Sequence, residues 1–161
     1  MNEQAFRTAV LAISTSKSAG EGKDESGPKL RTLLESAGCE VIAVELIPDD
    51  RELIAGRLRF YADEEACALI ATTGGTGLSP DDVTPEATRD AIDREAPGIA
   101  EAMRLASREH VPRHWMLSRA VAGSRGRTLI VNFPGNPNAI EQAGAVITPS
   151  LEHALGLLRR Q

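Results

Sequence analysis

Three glycines within four residues, Gly74, Gly75 and Gly77 around Thr76, follow directly on the apolar run Cys67 to Thr72. A buried strand that runs into glycines can take positive φ, and its backbone N–H groups can then approach an anion with no side chain in the way. The same residues also serve a plain chain reversal. The turn is neither a Walker loop, since no Gly-Lys-Ser/Thr follows, nor the G-x-G-x-x-G fingerprint of dinucleotide sites. Two acidic pairs, Asp49/Asp50 and Asp81/Asp82, each stand at the foot of a helical pattern, where an aspartate is an ordinary N-cap. Two such pairs beside one Gly-rich turn are harder to explain as caps alone. Carboxylates facing phosphates repel them unless a divalent cation lies between, and Mg²⁺ is commonly held by one or two carboxylates plus phosphate oxygens. Glycine turn and acids together read as a nucleotide or phosphate-ester site that needs Mg²⁺.

Pro134-Gly135-Asn136-Pro137 forms a third piece. Two prolines spaced by Gly-Asn stiffen a loop and aim the amides at the start of the next helix, a ready anion or polar-ring site, although a rigid connector needs the same residues. Ser118-Arg119 supplies an arginine in the polar break Leu117 to Gly123, placed for a phosphate or for a surface ion pair. His110, His114 and His153 fall outside these clusters without ligand spacing, and they read as solvated or locally bonded. No side chain advertises a purine pocket. Cys39 and Cys67 show no metal spacing and read as reduced thiols.

These residues must be carried by a frame. Four short apolar runs, Thr8 to Ile13, Val41 to Ile47, Cys67 to Thr72 and Thr128 to Asn132, read as strands buried on both faces. Between them lie helical patterns. Leu30, Leu33, Leu34 and Ala37 share one face after Ser26-Gly27-Pro28, and Gly38 closes that helix. Ile54, Leu58 and Tyr61 follow Asp49-Asp50, Thr84-Pro85 opens a short helix, and Pro97 a longer one. Asn136-Pro137 opens the next, and Thr148-Pro149 the last, so every proline is expected at a helix start. Strands alternating with helices imply a mostly parallel sheet covered on both faces. Ligands bind beyond the carboxyl ends of such strands, where Ser14, Asp49, Gly74 to Gly77 and Pro134 to Pro137 all fall. The polar stretch Ser14 to Glu25 reads as a long loop on the same edge.

Composition bounds the partners. The chain has 161 residues, 42% apolar but only 3% aromatic, with a formal net charge of −5. A single domain over 1–161 with an aliphatic core is expected. The acidic balance and the five aromatics, Phe6, Phe60, Tyr61, Trp115 and Phe133, argue against nucleic acid and membrane surfaces. No signal-peptide core or membrane span is apparent, so the expected location is the cytoplasm.

Taken in order, Thr72 to Gly77, Asp82-Val83-Thr84-Pro85-Glu86-Ala87-Thr88, Pro97-Gly98, Leu117-Ser118-Arg119 and Asn132-Phe133-Pro134-Gly135 closely resemble the MogA/MoaB family of molybdenum-cofactor biosynthesis proteins. The likeness runs from Phe6 to Leu158 and is specific in its order and spacing. It implies an α/β fold, a three-layer αβα arrangement with a mostly parallel sheet, assembled as a homotrimer or, in the MoaB branch, a hexamer. The implied activity is Mg-ATP-dependent adenylylation of molybdopterin, with pyrophosphate as the second product. A downstream molybdate-insertion protein is an implied partner. By position, the resemblance assigns Asp49 and Asp82 to catalysis and to Mg²⁺. It assigns Gly74, Gly75, Thr76 and Gly77 to the glycine loop, Pro134, Gly135, Asn136 and Pro137 to the proline-glycine loop, and Ser14 to the serine after the first strand. With Ser118 and Arg119 these are the expected substrate-binding residues. The chain departs from the pattern at Asp81, where many members carry Arg, at Asn136 and Asn138, which replace Ser and Lys, and at Thr15, which replaces Asp. These read as subfamily variation. A non-catalytic molybdopterin-binding or scaffold protein, and an enzyme acting on another nucleotide, are the competing readings.

Overall fold

The computed structural model describes residues 5–160. Its strands are β1 (Phe6–Ile13), β2 (Cys39–Ile47), β3 (Leu69–Thr73), β4 (Arg94–Glu95), β5 (Ala122–Arg125) and β6 (Thr128–Phe133), joined in the order β2-β1-β3-β6-β5-β4. The four apolar runs form the parallel part, β2-β1-β3-β6, and β5 and β4 add an antiparallel edge. The edge strands escaped the sequence reading because they are short and lack an apolar run. Their pairing relies on Gly123, where a Cβ would lie 2.4 Å from the Arg94 carbonyl oxygen.

The helices are α1 (Thr15–Ser18), α2 (Ser26–Ser36), α3 (Arg51–Asp63), α4 (Thr84–Ala91), α5 (Pro97–Ser107) and α6 (Pro137–Arg159), with a 3-10 turn at Trp115–Leu117. Strand residues alternate between two cores. Val10, Leu69, Ala71, Leu129 and Val131 pack with Leu30 and Leu34 of α2, Met103 of α5 and Ile140 of α6. Ala9, Leu11, Ile13, Ile70 and Ile130 pack with Ile54 and Leu58 of α3 and Ala87 of α4. Three layers result, each side chain buried in full contributing about 1.5–3 kcal/mol. Because α2 and α3 lie on opposite faces, the chain leaves β1 toward β2 and returns past it to β3. The junction of β1 and β3 is therefore the switch point at which an open α/β sheet forms its crevice.

Two local expectations change. The final two helices are one, α6, with Pro149 inside it. The helix continues because Ile140, Ala143, Ile147, Leu151 and Leu155 keep one buried stripe across the proline. Pro149 and Ala145 are exposed, so the missing hydrogen bond faces water. The stretch Ser14 to Glu25 contains α1, a single turn capped by Ser14, whose Oγ accepts from Lys17 N–H at 3.3 Å. The start of α2 is capped by Asp24, whose Oδ1 accepts from the N–H groups of Ser26 and Gly27 at 3.1 Å each. Among the described residues no helix is long and apolar enough to cross a membrane, and Cys39 and Cys67 are buried free thiols.

Candidate functional site

The crevice is built from three loops. Gly74 and Gly75, at φ of +98° and +68°, end β3 in the left-handed region that side chains avoid. A Cβ on Gly74 would lie 2.3 Å from the Ile13 carbonyl oxygen, and the backbone of Gly135 packs on Gly74, its absent Cβ 3.2 Å from the Gly74 Cα. Only glycine lets the three strand ends meet this closely. Two hydroxyls fasten the proline-glycine loop: Thr73 Oγ1 donates to the Pro134 carbonyl at 2.7 Å, and Ser26 Oγ to that of Gly135 at 2.7 Å. A cavity of about 150 Å³ lies at this junction, lined by Ser14, Lys17, Asp24, Ser26, Gly74 and Gly135 among others.

The peptide planes of the glycine loop are oriented by Thr84, a fully buried residue. Its Oγ1 donates to the Gly74 carbonyl at 3.0 Å and its N–H to that of Gly75 at 3.1 Å. In trans peptides the N–H opposes the C=O. The amides of Gly75 and Thr76 therefore point away from α4, and they donate to no group among the described residues. Two N–H groups without an acceptor among the described residues, on a glycine turn, make a concave anion seat.

The aspartates separate into two classes. Asp50 is the N-cap of α3, its Oδ1 accepting from Leu53 N–H at 2.9 Å. Asp49 is not a cap. Its Oδ2 accepts from the N–H and Oγ1 of Thr15, both at 2.9 Å, and its Oδ1 lies 2.9 Å from the position of a Gly75 Cβ. Thr15, where the resembling family carries Asp, thus orients Asp49. Nor does Asp82 cap α4, whose N-cap is Val83 with no side-chain bond. The Asp82 Oδ2 accepts from Ser79 N–H at 3.0 Å and lies 2.8 Å from the position of a Gly77 Cβ. The carboxylates of Asp49 and Asp82 therefore lean on glycines two residues apart, a chain distance of at most about 7 Å. Each has one oxygen held by the protein and the other, Oδ1, without a donor among the described residues. Hard oxygen ligands in twos, completed by phosphate oxygens, are what Mg²⁺ takes. Among the described residues no group of three or more His, Cys, Asp or Glu is placed to hold a metal unaided, so a cation held by these two carboxylates would need further ligands from its phosphates. Asp81 is exposed and Asn136 caps α6, its Oδ1 accepting from Asn138 N–H at 2.9 Å.

Of the two roles its sequence position leaves open, a phosphate contact or an ion pair, Arg119 makes the ion pair. Its guanidinium donates to the carbonyls of Gly77 and Asp82, at 2.8 Å each, and pairs with Glu86, while its N–H donates to the Thr76 carbonyl at 2.8 Å. The fork ties both ends of the loop from Gly77 to Asp82 onto α4. The Arg119 hydrogen bond holds the Glu86 carboxyl below the usual 4.5, and Glu86 in turn raises the guanidinium. Ser118, Pro134, Asn136 and Pro137 lie across the loop from Ser14. The first three line a second cavity of about 180 Å³ together with Trp115 and His114. His114, read from sequence as remote, is thus beside the site, and Trp115 was not singled out at all. Its signal was being the only tryptophan, just before Leu117-Ser118-Arg119.

Asn132 was likewise unassigned. It is fully buried, its Nδ2 donating to Thr72 Oγ1 at 3.0 Å and Thr88 Oγ1 at 2.9 Å, and its Oδ1 accepting from Val121 N–H at 3.0 Å. It locks β6, β3 and α4 together below the glycine loop.

Residues 9–153 match the family described as "Probable molybdopterin binding domain". The sequence is 41% identical over 139 residues to the molybdopterin adenylyltransferase of Haemophilus influenzae, covering 85% of this chain and 70% of that protein. It is 39% identical over 157 residues to the molybdenum cofactor synthesis protein cinnamon of Drosophila melanogaster, covering 96% of this chain but only 26% of that longer protein. Among solved structures, the molybdopterin biosynthesis enzyme MoaB of Thermus thermophilus superposes with a TM-score of 0.90 at 46% identity, over 97% of this chain and 98% of that one.

Proposed function

The chain belongs to the molybdopterin-binding domain family of molybdenum-cofactor biosynthesis proteins, and from that premise we propose that it is a molybdopterin adenylyltransferase. The observation that carries this reading is the position of Asp49 and Asp82, neither capping the helix that follows it and each pressed on a glycine of the loop with open amides. A protein that only held a pterin would gain little from two carboxylates beside a phosphate seat.

In the proposed reaction an oxygen of the molybdopterin phosphate attacks the α-phosphorus of ATP, and the bond from that phosphorus to the bridging oxygen breaks. Adenylylated molybdopterin and pyrophosphate are the products. The work is positioning and charge stabilisation, with no protein nucleophile. Mg²⁺, when bound, would neutralise the charge on the α-phosphate. Asp49 and Asp82 are the residues that would hold it. The amides of Gly75 and Thr76 bind phosphate oxygens, and the Ser14, Gly74 and Gly135 junction fixes a second phosphate. Arg119 and Thr84 keep the loop in shape from behind.

The reading extends to residues 1–161 acting as one such unit, to a homotrimer or hexamer in the cytoplasm, and to a molybdate-inserting protein downstream. The test is to incubate the protein with molybdopterin, ATP and Mg²⁺ and assay pyrophosphate and adenylylated pterin. Stoichiometric formation of both supports the enzyme. Tight pterin binding without turnover supports the scaffold instead.

A further inference from the structure

We infer that the cavity at the amino end of the sheet, opposite the crevice, is a binding site for a small multivalent oxyanion, an oligophosphate or a polycarboxylate, gripped by Arg7, Arg125, Arg127 and Arg159. The inference stands apart from the adenylyltransferase reading, because it uses none of the residues of that site.

The place follows from the strands. Arg7 and Glu40 stand at the starts of β1 and β2, Cys67 and Ala68 lead into β3, and Thr128 opens β6, so the cavity lies where the parallel strands begin. Strand β3 alone, Leu69–Thr73, puts about 16 Å between it and the glycine loop. A small ligand held here therefore reaches neither Asp49 nor Asp82.

Small side chains make the room. Ala5, Ala62, Ala66 and Ala68 leave a volume of about 670 Å³, within the roughly 300–1,000 Å³ of small-molecule sites. The arginines reach it from four separate elements: β1, β5, the turn between β5 and β6, and the last turn of α6. Glu40 and Asp63 are the acids in the wall, which leaves a surplus of two positive charges, and Glu65, paired with Arg7 from beside the wall, lowers it to one. In a chain whose acids outnumber its bases by 23 to 18, a cationic cavity runs against the trend. Helix carboxyl ends attract cations, which accounts for Arg159 in the last turn of α6 and for Arg125, forked onto Asp63 at the end of α3 at 2.9 and 2.7 Å. It does not account for Arg7 and Arg127, which stand on a strand and on a turn.

Donors are left for a ligand. Arg7 bonds to Glu65 through Nε and Nη2, and its Nη1 has no acceptor among the described residues. The N–H of Ala66 likewise has none. Arg159 lies over the Phe6 ring at 4.3 Å from its centre, a contact that steadies the guanidinium. Each guanidinium fork takes two oxygens, so several forks around one cavity select an anion with many oxygens. No aromatic side chain is among the lining residues, so nothing there selects a flat ring.

Calorimetric titration of the full-length protein, without added Mg²⁺, with tripolyphosphate and with citrate tests the site. At least one of them should bind once per chain, and the tighter one identifies the class of anion. The double variant Arg7→Gln with Arg127→Gln should weaken that binding at least ~10-fold. A second pair of variants leaves the arginines untouched. Ala66 stands at a φ of +50°, which both Asp and Asn tolerate. Ala66→Asp adds a carboxylate to the wall and should weaken binding at least ~10-fold, whereas Ala66→Asn should bind as the wild type does. The anion should raise the thermal midpoint of the wild type and of Ala66→Asn, and leave that of Ala66→Asp nearly unchanged. Binding of neither anion, or equal affinities in the Asp and Asn variants, would overturn the site and leave the adenylyltransferase reading untouched.

Discussion

Replacing Gly75 by alanine tests how tightly the loop, Thr84 and Asp49 are coupled. At φ of +68° an L-residue is in the left-handed region, which costs about 1–2 kcal/mol. The new Cβ would also lie 2.4 Å from Thr84 Oγ1 and 2.9 Å from Asp49 Oδ1. Thr84 is fully buried and uses that oxygen to hold the Gly74 carbonyl, so yielding breaks a hydrogen bond worth about 1 kcal/mol or more. The sum is a loss of about 2–4 kcal/mol of stability. Gly38→Ala is the matched control, because Gly38 has a φ of +88° with nothing within 4 Å of the added carbon. It bears the backbone cost alone, about 1–2 kcal/mol. Urea denaturation of the two variants measures the difference. Activity adds a second axis: pushing Asp49 out of place should cut adenylyl transfer by ~100-fold, whereas Gly38→Ala should retain wild-type turnover per folded molecule. Equal stability and equal turnover for the two variants would refute the proposed contact between loop and carboxylate.

Further outcomes follow from the same geometry. Asp50→Ala should lose about 1 kcal/mol of stability as a helix cap and keep its turnover, whereas Asp49→Ala should lose turnover with little change in the denaturation midpoint; steady-state assays and urea titrations separate the two. Arg119→Lys cannot reproduce a fork that reaches Gly77, Asp82 and Glu86 together, and kcat should fall by ~10-fold or more with the loop loosened. Because Arg119 depresses the Glu86 carboxyl below 4.5, the pair stabilises the fold fully above that pH and loses its effect as the pH drops through the lowered value. The stability gap between wild type and Glu86→Gln should therefore close on acidification, which urea midpoints from neutral pH down to about 3 would show. Burial pushes the Cys67 thiol up to about 11, so alkylation by iodoacetamide of the folded protein should be slow at neutral pH and become rapid on unfolding.

The parallel strands and the glycine, aspartate and proline-glycine clusters were legible in the sequence because each is a local pattern. A buried strand announces itself by a run of apolar residues, and a positive-φ turn by glycine. What was not legible depends on partners distant in the chain. Asp49 and Asp50 look alike in sequence, and only Thr15, brought in at the end of β1, separates the carboxylate it holds from the helix cap. Arg119 reads equally as a phosphate contact or an ion pair, and its carbonyl partners, about forty residues back, come into view only in the fold. Pro149 marks a helix start by its type, yet the buried stripe that spans it carries the helix through. Edge strands β4 and β5 have no apolar signal, since backbone pairing rather than burial defines them. Trp115 and His114 lie on a short turn whose approach to the proline-glycine loop no periodicity announces.

The most direct test of the account is pyrophosphate release from ATP and molybdopterin by wild type and by Asp82→Asn, with pterin binding measured on the same samples. The account predicts Mg²⁺-dependent turnover in the wild type, a loss of at least ~100-fold in the variant and nearly unchanged pterin affinity. Wild-type rates in Asp82→Asn, or turnover indifferent to Mg²⁺, would contradict it.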